Sequence, residues 1–391
     1  MRERTQVGIV GAGPAGLVLG HLLHLEGIDS VILEDRSRDY VEKRIRAGVL
    51  EQGTVDLLIE MGVGERLERE GLVHYGVELR FGGEGHRIAF DELTAGKGIT
   101  IYGQQEVVKD LIAARLETDR RLLFEVDDVR PDGIESDSPM LHFRHEGEEH
   151  ELDCNFIAGC DGFHGVCRGC VPDGALTEYE HVFPFGWLGI LAEVAPSSEE
   201  LIYCHSDRGF ALHSMRSPQL TRLYLQCEPD EPIDDWPDER IWDELRARFE
   251  SPGWELSQGP IVEKGVTPLR SYVAEPMQHG RLFLAGDAVH IVPATGAKGL
   301  NLAVADVREL AGALVLYFEH GDDALLDAYT ERCLGRVWHA QYFAWWMTQL
   351  LHRIPDDEGG FLAKLQQAQL NHVVGSRAAA TTMAENYVGI R

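Results

Sequence analysis

The chain has 391 residues, 44% of them hydrophobic and 26% charged, enough apolar material for a large core shared by two interlocked domains. Its 36 Lys and Arg are set against 65 Asp and Glu, a formal charge of −29 that repels phosphate backbones and anionic lipid and so excludes nucleic acid and membrane surfaces as partners. The same field opposes small anions, so an acidic substrate would need a local cationic receptor inside the fold.

The longest apolar stretch, around residues 310–318, is too short to span a bilayer, and the N-terminus enters a strand pattern without the layout of a signal peptide. A cytoplasmic location is the expectation. Seven cysteines, an odd number in a chain of this size, read as free thiols in a reducing compartment. Cys167-Arg168-Gly169-Cys170 has the short spacing of a zinc site. Cys154 and Cys160, however, lie about 20 Å apart if they share a strand at ~3.3 Å per residue, so no metal is expected.

In chain order, residues 6–10 predict a short buried strand, 14–26 a helix stopped by Gly27, and 30–34 a second strand, a βαβ opening at the extreme N-terminus. Residues 73–90 and again 182–266 alternate in the manner of an antiparallel sheet assembled from separated segments. The acidic, proline-rich stretch 228–239 leads into a helix from Pro237 to about Phe249. After Gly299 the pattern is helical, with one helix to about Phe318 and an aromatic-rich one over about 322–353. Trp338, Trp345 and Trp346 on the latter suit either the core or a subunit contact.

Gly11-Ala12-Gly13-Pro14-Ala15-Gly16 lies between the first strand and the first helix, where missing side chains let the backbone approach a pyrophosphate at the helix N-terminus. Glu34, ending the second strand, stands where a carboxylate can accept hydrogen bonds from an adenosine ribose. These features alone leave NAD or FAD as the tenant. Two later segments, Ala158-Gly159-Cys160-Asp161-Gly162 and Leu282-Phe283-Leu284-Ala285-Gly286-Asp287-Ala288, complete a set of three that resembles the fingerprints of the single-component FAD-dependent aromatic hydroxylases.

That resemblance implies an α/β protein in which a Rossmann-like FAD-binding domain (residues 1–72 and 101–181) is interleaved with an antiparallel-sheet substrate domain (73–100 and 182–269). A helical C-terminal region that also carries FAD contacts and an interface (270–391) follows. It implies non-covalent FAD held by Gly11, Gly13, Ala15, Gly16, Glu34, Arg44, Arg46, Gln104, Asp161, Asp287, Gly299, Leu300 and Asn301, with Asp287 on the ribityl chain. The helix opening at Gly299 independently suits negative charge developing on a reduced flavin. The resemblance also places Asp35, Arg36, Tyr40, Phe163, His164, Arg168 and Arg270 around NADH or NADPH as co-substrate, and implies a homodimer.

The substrate side is written in residues 203–226. Strand periodicity puts Phe210, Leu212, Ser214 and Arg216 on one face, so that Arg216 can grip a carboxylate in bidentate fashion while Ser214 adds a donor. With this segment, and with stretches such as 44–53, 71–74, 102–104, 184–189, 275–280 and 384–389, the resemblance extends over nearly the whole chain. It narrows there to the branch of the family that hydroxylates 4-hydroxybenzoate to 3,4-dihydroxybenzoate with dioxygen. It implies that Tyr203 takes up the phenol proton, Tyr387 relays it and His74 delivers it to solvent, and that Tyr224, Arg222 and Ala294 join Ser214 and Arg216 around the substrate. Another aromatic acid, or FAD binding without hydroxylation, are the alternatives that fold alone leaves open. One departure stands out: the family has two prolines where this chain has Pro293-Ala294, which keeps the carbonyl beside the substrate hydroxyl but frees φ. A second is Asp35, at a position that is basic in NADPH-dependent members.

Overall fold

The computed structural model describes residues 2–44, 48–355 and 357–389. Among them, the strands Val7–Val10, Ser30–Leu33 and Phe156–Gly159 form the centre of a six-stranded sheet that Leu282–Leu284 and Leu122–Leu123 extend in parallel. Every residue of the three central strands is buried, which is why they read as continuous apolar runs and not as alternations. The helix Pro14–Leu25 follows the first strand, is stopped at Gly27 with φ +71°, and crosses back to Ser30. A guanidinium locks this crossover: Arg115, 1% exposed, donates to the carbonyls of Gly20, Ser30 and Arg121.

The second large sheet has eight strands in the order His290–Ile291, Ile261–Glu275, Thr177–Ala192, Leu220–Cys227, Ala211–Ser217, Leu201–His205, Gly76–Phe81, Glu84–Ala89. It is antiparallel as expected except at one place, where Leu201–His205 runs parallel to Gly76–Phe81. These two strands come from distant parts of the chain, so no hairpin dictates their relative direction. Thr177–Ala192 and Ile261–Glu275 form the longest ladder, with a register break between Val182 and Gly186.

The C-terminal part is helical. Gly299–His320 ends at Gly321 with φ +69°, and Asp238–Arg248 matches the helix expected after Pro237. The aromatic-rich helix expected over about 322–353 is two helices, Ala324–Asp327 and Tyr329–Leu351. Tyr329 lies in the core and donates its hydroxyl to the Leu284 carbonyl, a tertiary contact that outweighs continuation of a single helix. The three tryptophans divide. Trp346 packs on the core under the eight-stranded sheet, whereas Trp338 and Trp345 are more than two-fifths exposed. No helix among the described residues is long and apolar enough to cross a membrane. All seven cysteines are free.

Candidate active site

The glycine loop is built by close packing. A Cβ on Gly11, which sits at φ +103°, would meet the Cys160 carbonyl oxygen at 2.3 Å, and one on Gly16 would meet the Gly11 carbonyl oxygen at 2.0 Å. A Cβ on Gly13 would meet nothing within 4 Å. The loop is therefore packed on its inner side and open at Gly13, the N-cap of Pro14–Leu25, where no side chain caps the helix. The first amides of that helix are free for an anion.

Glu34 reaches back to this loop, accepting the Ala12 amide at 2.7 Å and the Arg36 amide at 3.0 Å. Each carboxylate oxygen keeps a further acceptor site, which suits ribose hydroxyls. Burial, with neighbouring Asp35 adding to it, pushes the Glu34 carboxyl up to about 7. Asp161 accepts the Cys167 amide at 2.9 Å with one oxygen, while its other oxygen is buried without a partner. Asp287 is exposed on the Gly286–Ala288 turn, and Gln104 opens the helix Gln104–Leu116. Arg44 is exposed and lies over the Tyr40 ring, and Arg46 lies outside the described residues. An open phosphate cradle, a ribose acceptor and an uncapped second helix at Gly299 together fit FAD.

That second helix is positioned by the side chains of Asn301, which the resemblance put in the FAD set, and of Lys298, to which sequence reasoning gave no role. Asn301 accepts the Glu51 amide at 2.9 Å and the Thr54 hydroxyl at 2.8 Å, and donates to the Val49 and Ala297 carbonyls. Its side chain is thus spent on the protein, leaving the backbone amides of Gly299, Leu300 and Asn301 to face a ligand. Lys298, 5% exposed, pairs with Glu51 and donates to the Asn386 carbonyl. The only sequence signal was a lysine directly before a helix start.

On the eight-stranded sheet, Tyr203 is opposite Leu212 and Leu212 opposite Tyr224, while Ser214 is opposite Arg222. Directly opposed residues share a face, so Tyr203, Leu212, Ser214, Arg216, Arg222 and Tyr224 line one surface, as the periodicity predicts. Arg216 donates to Ser214 Oγ at 3.1 Å and to the Met215 carbonyl at 2.9 Å, and approaches Tyr224 Oη at 3.5 Å; its Nε is buried without an acceptor. Arg222 instead turns to Glu263 at 3.2 Å and stacks on Tyr224. Ala294 lies in the short turn Ala294–Gly296, its carbonyl accepting the Ala297 amide at 3.0 Å.

Tyr203 and Tyr387, far apart in sequence, have their hydroxyls hydrogen-bonded to each other, and both side chains are 1% exposed. Burial drives both phenols upward, so both are protonated at neutral pH. His74 is not joined to them by a direct hydrogen bond: its two ring nitrogens are buried with no partner. Burial lowers its pKa to about 4, a shift that Glu200 opposes.

The coenzyme candidates fall into two clusters. Asp35 and Arg36 pair at 3.5 Å, and Arg36 and Arg44 lie over the Tyr40 ring. Elsewhere, Phe163 is flanked by Arg168 and Arg270 at 4.8 and 5.0 Å, with His164 and Tyr272 against its edge. Tyr272, Glu178 and Glu180 belong to this second group without having been anticipated: Glu178 binds Arg168 and Tyr272, and Glu180 binds Arg270.

Residues 4–344 match the family of the FAD binding domain. The chain is 49% identical over 388 residues to the p-hydroxybenzoate hydroxylase of Acinetobacter baylyi, covering 99% of this chain and 96% of that protein. The chain belongs to the p-hydroxybenzoate hydroxylase family of FAD-dependent aromatic hydroxylases. FAD is its cofactor and a nicotinamide coenzyme its co-substrate. More distant members of the wider family include a probable NADH-specific resorcinol 4-hydroxylase of Rhodococcus jostii, 25% identical over 84% of this chain and 62% of its own length. The crystal structure of p-nitrophenol 4-monooxygenase from Pseudomonas putida superposes over the whole of both chains with a TM-score of 0.84 at 19% identity, a likeness of fold alone.

His74, His213 and His352 share one electrostatic consequence. Burial holds them down at about 4, about 4 and about 3 respectively, so the folded protein resists protons that the unfolded chain accepts near 6.5. Stability is therefore fully present above 6.5 and is lost as pH falls through 6.5 toward 4. The loss is about 2 kcal/mol per histidine at about pH 5. The melting temperature is expected to fall between pH 7 and pH 5, and to fall less in His74→Gln. Equal falls in the two proteins would show that His74 protonates freely in the folded state.

Proposed function

We propose that this chain hydroxylates 4-hydroxybenzoate at the carbon beside its hydroxyl, yielding 3,4-dihydroxybenzoate at the expense of NAD(P)H and dioxygen. The reading rests chiefly on Arg216, a guanidinium sunk into an acidic protein whose hydrogen bonds go to neutral acceptors and whose Nε has none. A buried cation in that condition gains most from a carboxylate. Tyr203 sits on the same face one pleat repeat from Ser214, about 7 Å along the strand, the scale of a ring substituted at opposite ends. The name of the Acinetobacter relative supports the same substrate.

Bound FAD supplies the electron transfer from coenzyme to dioxygen. The glycine loop would hold its pyrophosphate, Glu34 a ribose, Asp287 the ribityl chain, and the amides of Gly299, Leu300 and Asn301 the ring. The protein's own contribution is orientation and proton management. Arg216 and Ser214 take the carboxylate, and the phenol meets Tyr203. Because Tyr203 and Tyr387 stay protonated, each accepts one proton as it passes another on. His74, neutral at pH 7, can then accept at one nitrogen and donate from the other. Without a direct bond from Tyr387, this last transfer needs a bridging water.

Tyr203→Phe is expected to bind 4-hydroxybenzoate and oxidise coenzyme while losing most of the 3,4-dihydroxybenzoate, since the phenol would stay protonated; wild-type product yield by chromatography contradicts the role. Arg216→Met is expected to weaken substrate binding by about 2–5 kcal/mol, the cost of truncating one partner of a buried charge pair. An unchanged dissociation constant places the carboxylate elsewhere.

Coenzyme choice turns on Asp35, whose carboxylate repels a 2′-phosphate yet can accept from free ribose hydroxyls. Arg36, paired with it, limits this to dual use rather than strict NADH specificity. The expected result is a kcat/KM for NADH at least equal to that for NADPH. An NADPH preference of about tenfold, ~1.4 kcal/mol, overturns it.

Trp338, Tyr342 and Trp345 share one face of Tyr329–Leu351 and are 42%, 63% and 44% exposed, an aromatic stripe of the kind that subunit contacts cover. A homodimer is the state this favours. Light scattering that returns the mass of one chain speaks against it.

A further inference from the structure

A buried His–Asp pair lies directly behind the Gly286–Ala288 turn. His290 Nε2 and Asp306 Oδ2 are 2.6 Å apart, and each side chain is 1% exposed. The same Asp306 oxygen accepts the Gly286 amide at 3.0 Å. Asp306 Oδ1 and His290 Nδ1 are buried without partners. A pair so enclosed is costly to desolvate, and more hydrophobic side chains would suit the site equally well if stability were its only purpose. Burial works against charge on His290, while the adjoining Asp306 raises its pKa.

The geometry shows what the pair acts on. Gly286 is at φ +63°, and a Cβ there would meet Ala303 at 3.1 Å and Ala15 at 3.7 Å, so the turn rests on both the first helix and Gly299–His320. Asp306 is carried by that second helix, whose opening amides belong to the flavin set. His290 is held by pairing with Val273 of the long strand Ile261–Glu275. Arg168 ties the far end of the same turn by donating to the Ala288 carbonyl at 2.7 Å.

We propose that His290 and Asp306 are positioning residues for FAD: their buried pair fixes the Gly286–Ala288 turn against the helix Gly299–His320, holding Asp287 and the helix amides at one separation. This rests on the reading that Asp287 faces the ribityl chain. Neither residue touches the substrate site, and the effect is on how tightly and in what environment FAD is held.

The test titrates apoprotein with FAD, following flavin fluorescence and the visible circular dichroism of the bound cofactor, and records apoprotein melting. Asp306→Asn is expected to raise the FAD dissociation constant about tenfold or more and to alter the dichroism of the cofactor that still binds. His290→Gln, whose amide can still donate to Asp306, is expected to retain FAD better than His290→Leu, and this comparison decides the matter should Asp306→Asn fail to fold. Wild-type affinity and dichroism in Asp306→Asn overturn the proposal. So do His290→Gln and His290→Leu losing FAD and apoprotein stability in equal measure, which marks a core contact only. Asp287→Ala separates the premise from the inference: unchanged FAD affinity there removes the ribityl reading, whereas weakened affinity beside a wild-type Asp306→Asn removes the brace alone.

Discussion

Much of the site hangs on Asn301. One amide side chain makes four hydrogen bonds, to Val49, Glu51, Thr54 and Ala297, and so anchors the start of Gly299–His320 to a segment some 250 residues earlier. The opening amides of the helix, the Lys298–Glu51 pair and the contact of Lys298 with the Asn386 carbonyl all take their positions from that anchor. Replacing Asn301 with an apolar residue would strand two acceptors and two donors at once, a penalty of about 1–3 kcal/mol for each group left buried. The C-terminal helix that carries Tyr387 is thereby registered against Glu51 by way of Lys298.

A second theme is the handling of charge in a strongly acidic chain. The surface carries the excess of carboxylates, while the interior holds Arg216 among neutral acceptors and keeps deeply buried imidazoles neutral. His352 illustrates the latter: it accepts from Trp187 Nε1 at 2.6 Å while its Nδ1 bonds the Thr348 carbonyl at 2.9 Å, an arrangement that requires the neutral ring. With Phe185 and Phe210 stacked on it, this histidine backs the same sheet that presents Tyr203 and Arg216.

The parts of the fold that were legible in the sequence are those governed by local rules. The glycine loop, the first helix with its Gly27 stop, and the face shared by Leu212, Ser214 and Arg216 follow from steric and pleat periodicity, and each is found where expected. The separation of Trp346 from Trp338 and Trp345 was not legible, because helical spacing does not say which neighbour covers a face. Nor was the parallel direction of Leu201–His205 or the break before Tyr329. Each of these depends on partners brought from remote parts of the chain. The union of Tyr203 with Tyr387 came from family resemblance, and no spacing rule could have supplied it.

The long ladder of Thr177–Ala192 against Ile261–Glu275 carries Glu178, Glu180, Arg270 and Tyr272 at one end and Trp187 and Gly189 at the other. Between these ends, residues 183–185 bulge out of register, with Phe183 and Phe185 buried and Phe185 lying flat on His352. A ribbon paired in register on both sides of a bulge bends at the bulge. Any flexing at the end that carries Glu178 and Arg270 is therefore concentrated within a few residues and passed to two phenyl rings, one of them stacked on the imidazole that accepts from Trp187. The bulge is a mechanical joint between the end of the ladder that carries Glu178, Glu180, Arg270 and Tyr272 and the end that carries Trp187 and Gly189.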